Sequence, residues 1–348
     1  FPRGLRDRPH GQWQVIDEDG ADQDVRQLGQ PGADAGHRGS QLRRVGTTEA
    51  GRIVITRPLI RYHGGKFRLA SWILQWLPPH RIYTEVYGGA ASILLRKARS
   101  HGEVYNDIDG DIVNLFRVLR QSKDAARLAQ LCALTPYARE EFDMAWEHTD
   151  EPIERARRTI VRAQMGFGSA GATKSSTGLR TDTKREYLTA QTDWRRYPPV
   201  LLAIAERLQG VLIENRPALE VLRQHDDPEA LHFIDPPYVH ETRCRPRSGG
   251  YRFEMENDDH KTLLDAIQRL EGMVVLCGYD HPIYREALVD WTMKSTSARA
   301  SGGRGTVTRT ECLWLNPSCT QRNGWLFAEP AGNTDQSEVV HELDSPHG

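Results

Sequence analysis

The chain contains no apolar run approaching the roughly 20 residues that cross a bilayer, so no helical membrane span is expected within it. Cysteine is scarce. Cys132, Cys244, Cys277, Cys312 and Cys319 are the whole supply; none forms a C-x-x-C pair, and no Cys/His cluster has metal-ligand spacing. They read as reduced thiols, which predicts a cytoplasmic protein without a metal. The residues following Phe1 lack the charged, apolar, small-residue order of a secretory leader. The phosphate-binding pattern G-x-x-x-x-G-K-[ST] is missing, as are internal repeats. Neither charge sign dominates, with 46 Lys and Arg against 47 Asp and Glu, so the net charge identifies no partner.

What is present fits a globular protein. Of the 348 residues, 38% are hydrophobic and 27% charged, which excludes a wholly disordered chain and allows one large domain or two modest ones. Residues 1–56 are an exception: Gly, Asp, Arg and Gln dominate, and no apolar period is sustained. Such a segment cannot bury enough surface to offset chain entropy and is expected to be a disordered tail. Residues 321–348 read as a second loose tail.

Between the tails, strand and helix patterns alternate. Helical spacing over 67–77 ends at Pro78-Pro79, and IYTEVY at 82–87 reads as a strand running into Gly88-Gly89 and a helix through about Arg99. EVYND at 103–107 predicts a strand and 111–120 a helix. From 121 to 165 the pattern is only helical, and 166–192 is rich in Gly, Ser and Thr without a period. Strands resume at 211–215, 231–235 and 273–279, with helices from Pro217 and over 257–270. The segments 293–300 and 306–316, joined through Ser301-Gly302-Gly303, predict an antiparallel hairpin. The alternation predicts a parallel α/β sheet built from 57–120 and 198–320 and interrupted by an inserted, mainly helical subdomain at 121–197.

The strongest chemical signal is Asp235-Pro236-Pro237-Tyr238, which follows an apolar strand and so lies at a carboxyl end of the sheet, where open α/β sheets bind ligands. Two prolines fix the backbone and remove two N–H donors. A carboxylate, carbonyl acceptors and an aromatic ring remain, a surface suited to an exocyclic amine on a flat base. Acceptors at Asp235 and the Pro236 carbonyl favour the positive charge that develops as such an amine attacks, and Tyr238 is placed to stack on the base. A base within a duplex has to flip out to reach such a site. The bland alternative is a turn that merely ends a strand.

Glu85-Val-Tyr-Gly-Gly-Ala-Ala-Ser92 supplies a glycine turn through which a cofactor can approach the backbone. Asp107, at the end of the next strand, is either an acceptor for ribose hydroxyls or the N-cap of the helix beginning at Ile108. Arg61-Tyr62-His63-Gly64-Gly65-Lys66 precedes the first helix and alone is an ordinary helix entry. Between Glu154 and Arg196, ten Lys or Arg stand against four acids. That is either a phosphate-facing surface or a solvated face of loosely paired charges.

Taken in order, these motifs resemble the Dam-like (D12 class) DNA adenine methyltransferases of bacteria and phages, over roughly residues 58–317. Tyr62 to Lys66 is similar to the family's aromatic-x-Gly-Gly-Lys motif, Glu85–Ser92 to its acidic glycine turn, Asn106-Asp107 to Ile112 to its N-D-x-x-x-x-L strand end, and 235–238 to its D-P-P-Y. The resemblance implies a class I S-adenosylmethionine-dependent methyltransferase (Rossmann-like) sheet with a terminal antiparallel hairpin and an inserted recognition subdomain. It implies site-specific methyl transfer from S-adenosyl-L-methionine to adenine N6 in double-stranded DNA, in line and without a covalent enzyme intermediate. Cofactor contacts are then expected at Tyr62, Gly64, Gly65, Lys66, Glu85, Tyr87, Gly88, Gly89, Asp107, Ile108 and Asp235, with Asp235, Pro236, Pro237 and Tyr238 at the chemistry. DNA contacts are expected at Arg162, Lys174, Arg180, Arg243, Arg252 and Arg304, with 165–180 as the recognition hairpin region. Two departures stand out: many relatives have Pro and a later Gly where this chain has Val86 and Ala91, and Ala91 is expected to narrow the cofactor pocket slightly. An enzyme acting on RNA or protein amines remains open, although glutamine methyltransferases resemble N-P-P-Y, as does a DNA-binding relative that has lost catalysis. A cognate restriction endonuclease, the recognised site and the oligomeric state are not legible.

Overall fold

The structure, a computed structural model, describes residues 55–321 except 170, 174–175, 184–188, 244–249 and 303–304, with backbone alone at 299–302, 305–307 and 321. The expected tails therefore lie outside the described residues, apart from their inner ends. Ile55 already belongs to the core.

Five parallel strands form the centre of the sheet: β1 (Ile82–Glu85), β2 (Gly102–Asn106), β3 (Val211–Glu214), β4 (Ala230–Ile234) and β5 (Met273–Tyr279). The hairpin of β6 (Thr292–Gly302) and β7 (Gly305–Leu315) completes it, with β7 antiparallel to β5. The order is β3-β2-β1-β4-β5-β7-β6, the Rossmann-like sheet with a terminal hairpin expected from the sequence. Alternation along β5 shows why the strands sit where they do: Met273, Val275 and Cys277 enter one core, Val274 and Leu276 the other. Both faces are covered, which explains runs that are apolar throughout.

Helices α1 (Ala70–Leu74), α2 (Gly110–Arg120), α3 (Ser122–Leu134), α4 (Arg139–Met144), α5 (Pro152–Met165), α6 (Ala190–Arg195), α7 (Pro198–Arg207) and α11 (Pro317–Gln321) flank one face. The other face carries α8 (Ala218–Gln224), α9 (Asn257–Ile267) and α10 (Pro282–Ala287). Helix α2 starts where the Asp109 side chain accepts from the Asp111 amide, and it buries Ile112, Leu115, Phe116 and Leu119. The N-cap is thus Asp109, not Asp107. Helix α5 begins at Pro152 under the Glu151 carboxylate and packs on α2 and α3. The helices of the 121–197 segment consequently share a core with the sheet.

Two helical expectations need correction. After β1 the chain makes only irregular turns. The Leu94 N–H, which a helix would direct to residue 90, donates instead to the Glu85 carboxylate at 2.8 Å, and Ala91 stands at φ 51. The helix expected over 67–77 is regular only at 70–74. Bonds of the i to i+3 type at Leu69, Trp72 and Trp76 tighten both of its flanks. Among the described residues of 166–189 the regular pairing is an isolated bridge, Gly166 with Leu179.

Candidate active site

The carboxyl ends of β2, β1 and β4 lie side by side, which gathers Asp107, Glu85 and Asp235 from three distant parts of the sequence. They line a cavity of about 370 Å³ together with Tyr62, Gly64, Gly65, Lys66, Tyr87, Gly88, Gly89 and Ile108. Every residue expected against a cofactor is therefore on one wall or another of the same space. Pro237 also lines it, and Pro236 and Tyr238, both buried, follow on from this wall without lining the cavity themselves.

Lys66 is buried and donates to Oδ2 of Asp235 at 2.8 Å and to the Gly64 carbonyl at 2.7 Å. Burial opposes the charge of its ammonium group, but Asp235 and Glu311 outweigh burial and hold its pKa above the ordinary lysine range. For Asp235, burial pushes the pKa up and Lys66 pulls it back. Its second oxygen, Oδ1, is buried and has no hydrogen-bond partner of ordinary geometry, although the Tyr238 hydroxyl also faces the carboxylate and helps to lower its pKa. An unpartnered buried acceptor costs on the order of 1–3 kcal/mol, so this oxygen favours any donor that enters.

Two more acids are shifted by burial. Glu85 is raised to about 7 although it accepts from the Leu94 N–H and the Tyr83 hydroxyl. Asp107 is raised to about 6 and accepts from the amides of Gly89 and Asp109, each at 2.8 Å. Asp107 thus braces the glycine turn against the end of β2. The two glycines are required by their neighbours. A Cβ at Gly88 would sit 2.1 Å from the Tyr105 ring, and one at Gly89, where φ is +47, would sit 2.6 Å from the Tyr62 ring. Ala91 does not line the cavity. It is fully buried, and its departure from the family pattern lies in its positive φ rather than in pocket width.

No sequence motif marks Tyr251 or Phe253 in the roof. Tyr251, Arg252 and Phe253 line the cavity from above the motif that begins at Tyr62. The Tyr251 ring lies 5.1 Å from His63 and blocks any side chain at Gly64. The Glu254 carboxylate accepts from the amides of Gly250 and Tyr251 and pairs with Arg243. Arg252 spans to Asp109 and Asp111, both at 3.0 Å. Asp111 also receives Arg155 and Arg162 from α5, and these guanidinium groups hold its carboxyl down at about 2 against the pull of burial.

Tyr238 is buried, with its hydroxyl donating to Oε2 of Glu311 at 2.8 Å. Its ring meets Tyr279 edge-on, centroids 4.7 Å apart, and lies 4.7 Å from the Lys66 ammonium.

The arginines expected on DNA are placed otherwise than a charge count implies. Arg162 is buried on Asp111, Arg180 pairs with Asp193 at 3.8 Å, Arg243 with Glu254, and Arg252 with Asp109 and Asp111. The basic excess of 154–196 is answered in large part by acids folded in from Asp111, Glu141 and Glu147. Lys174 and Arg304 lie outside the described residues, as does Cys244. The other four cysteines are buried thiols that form no disulfide among the described residues. Among the described residues no group of side chains is arranged to hold a metal ion, and no helix is long and apolar enough to cross a membrane.

Comparison with known proteins gives one decisive match. Residues 62–290 fit the model of the D12 class N6 adenine-specific DNA methyltransferase family. No curated protein matches the chain. Among solved structures, a precorrin 8W decarboxylase from Methanobacterium thermoautotrophicum is similar at 10% identity and a TM-score of 0.30, covering 72% of this chain and 89% of that one.

Proposed function

The chain belongs to the D12 class of N6 adenine-specific DNA methyltransferases, and we propose that it methylates a flipped-out adenine of duplex DNA using S-adenosylmethionine held in the cavity at the strand ends. The residues fit that cofactor. A glycine turn that tolerates no Cβ lines the cavity beside the Glu85 and Asp107 carboxylates, and Pro217, Leu219 and Phe253 give an apolar wall for a base. Each Asp107 oxygen accepts one backbone N–H and keeps a lone pair for a ribose hydroxyl. Bound there, the cofactor supplies an electrophilic methyl group. Tyr62, Gly64, Gly65, Lys66, Tyr87, Gly88, Gly89 and Ile108 complete its contacts.

The observation that carries this reading is the bare Oδ1 of Asp235. Lys66 holds the carboxylate by its other oxygen and so aims the free one. An adenine amine donates to it, the Pro236 carbonyl takes the second N–H, and both acceptors stabilise the positive charge that grows on nitrogen during attack. Burial raises the basicity of Asp235, which suits it to receive the proton that nitrogen then loses. Tyr238 offers its ring to the flipped base. Arg162, Arg180, Arg243 and Arg252, with Lys174 and Arg304 outside the described residues, are assigned to the DNA side.

The test is transfer of labelled methyl from S-adenosylmethionine to unmethylated duplex DNA, read as nucleosides after digestion. Wild type is expected to label N6-methyladenine, and Asp235→Ala to lose roughly a hundred- to a thousandfold of that rate with its fold intact, the scale of removing one group that stabilises transition-state charge. Near-normal turnover by Asp235→Ala would remove Asp235 from the chemistry.

A further inference from the structure

We propose that Glu311 is a positioning residue for methyl transfer, holding Tyr238 in the orientation that a flipped adenine meets; this rests on the function assigned above. Glu311 lies outside the residues that match the family, 62–290. It comes from β7, the antiparallel strand, where it stands opposite Tyr279 of β5 and Thr296 of β6.

The backbone at Tyr238 is fixed by two preceding prolines, but proline does not set the rotamer of the ring that follows. Three contacts do. The Tyr238 hydroxyl donates to Glu311 at 2.8 Å, Tyr279 meets the ring edge-on at 77°, and the Lys66 ammonium lies over it at 4.7 Å. Only the hydroxyl contact is directional at the far end of the side chain. It is also a bond to a carboxylate, the stronger kind. Tyr279 is held in turn by the same strand pair, since it is the register partner of Glu311, and Arg309 lies 6.0 Å from its ring. The hairpin therefore reaches the reacting centre through one carboxylate, and Lys66 feels that carboxylate as well as Asp235. A ring released from Glu311 retains its area but loses its fixed plane. Stacking of a base on it then has to order the side chain first, which appears in kcat rather than in affinity for the cofactor.

The experiment compares Glu311→Ala, Glu311→Gln, Tyr238→Phe and the double variant Glu311→Ala/Tyr238→Phe by steady-state methyl transfer, with hydrogen exchange of the amides of 238–243 in the free protein. Loss of one hydrogen bond to a charged group predicts a fall in kcat of about tenfold or more for Glu311→Ala and for Tyr238→Phe, with KM for the cofactor unchanged. The double variant is expected to fall no further than the worse single one, because both remove the same bond. Glu311→Gln keeps an acceptor oxygen and is expected to recover most of what Glu311→Ala loses. Exchange at 238–243 should speed up in Glu311→Ala and Tyr238→Phe and not in Glu311→Gln. An equal loss from Glu311→Ala in the wild-type and Tyr238→Phe backgrounds, or unchanged exchange in Glu311→Ala, overturns the proposal. Failure of the wild type to label adenine would overturn the function instead, and hydrogen exchange would still decide whether Glu311 holds the ring.

Discussion

Lys66 and Asp235, 169 residues apart in sequence, meet at 2.8 Å, and the meeting leaves one oxygen of the carboxylate committed and the other bare. The ammonium also pulls the pKa of Asp235 back down against burial, which raises it. Lys66→Met removes that counter-charge, so the pKa of Asp235 rises further. If the carboxylate is the working form, the acid limb of the pH–rate profile of methyl transfer moves to higher pH. An unmoved limb would assign that titration to another group.

Glu85 carries a pH-dependent stability of its own. Burial raises its folded pKa from 4.5 to about 7, so the folded state binds the proton more tightly than the unfolded chain. The stabilisation is complete below about pH 4.5 and is lost as pH rises towards 7, because the unfolded chain releases its proton first. Glu85→Gln mimics the protonated form. Thermal melts should show it gaining on wild type between pH 5 and pH 8, by roughly 1–3 kcal/mol at the upper end. A pH-independent difference would mean that the carboxyl does not titrate in this window.

The glycine turn offers a pair of opposite substitutions. Gly89→Ala puts a Cβ against the Tyr62 ring at a position with φ +47 and is expected to cost about 1–2 kcal/mol in the backbone alone, besides shifting Tyr62 into the cavity. Cofactor affinity by calorimetry should fall. Ala91→Gly relieves a left-handed alanine and should leave affinity unchanged while raising stability by up to about 1 kcal/mol, unfolded-state entropy offsetting part of the relief. Destabilisation by Ala91→Gly would show that the alanine methyl packs well enough to outweigh its backbone conformation.

Asp111 joins the roof to the helical segment, since Arg252 approaches it from one side and Arg155 and Arg162 from the other. Asp111→Asn leaves these guanidinium groups short of a counter-charge and is expected to cost roughly 2–4 kcal/mol, Arg162 being buried. Cofactor binding should weaken alongside stability because Arg252 loses one of its two anchors. A variant with lower stability and unaltered cofactor affinity would confine Asp111 to the α2–α5 contact.

The parts of the site that were legible are those written in short motifs at strand ends. A carboxylate before two prolines and a glycine pair after a strand each fix backbone geometry within a few residues, so their placement needs no knowledge of the rest of the chain. The illegible parts depend on partners distant in sequence. The charge excess of 154–196 counted Arg155 and Arg162 without Asp111, which lies three helices earlier. The turn after β1 looked helical because its apolar spacing is helical, but Glu85 takes the Leu94 amide. Glu311 sits in a hairpin with no motif at all. Tyr251 and Glu254 follow D-P-P-Y closely, yet only Gly250, which lies where a Cβ would meet His63, marks the chain's return over the cavity.

The side-chain amide of Asn215 donates to the Asp107 carbonyl, closing an excursion of 108 residues. Strand β3 is the outer neighbour of β2, so during synthesis β2 is made long before the strand that covers its far edge. Until β3 arrives, that edge offers unpaired amides and carbonyls to any passing strand. Long-range pairing of this kind is slow to form, and the half-built sheet is where misassembly on the ribosome or in refolding would begin.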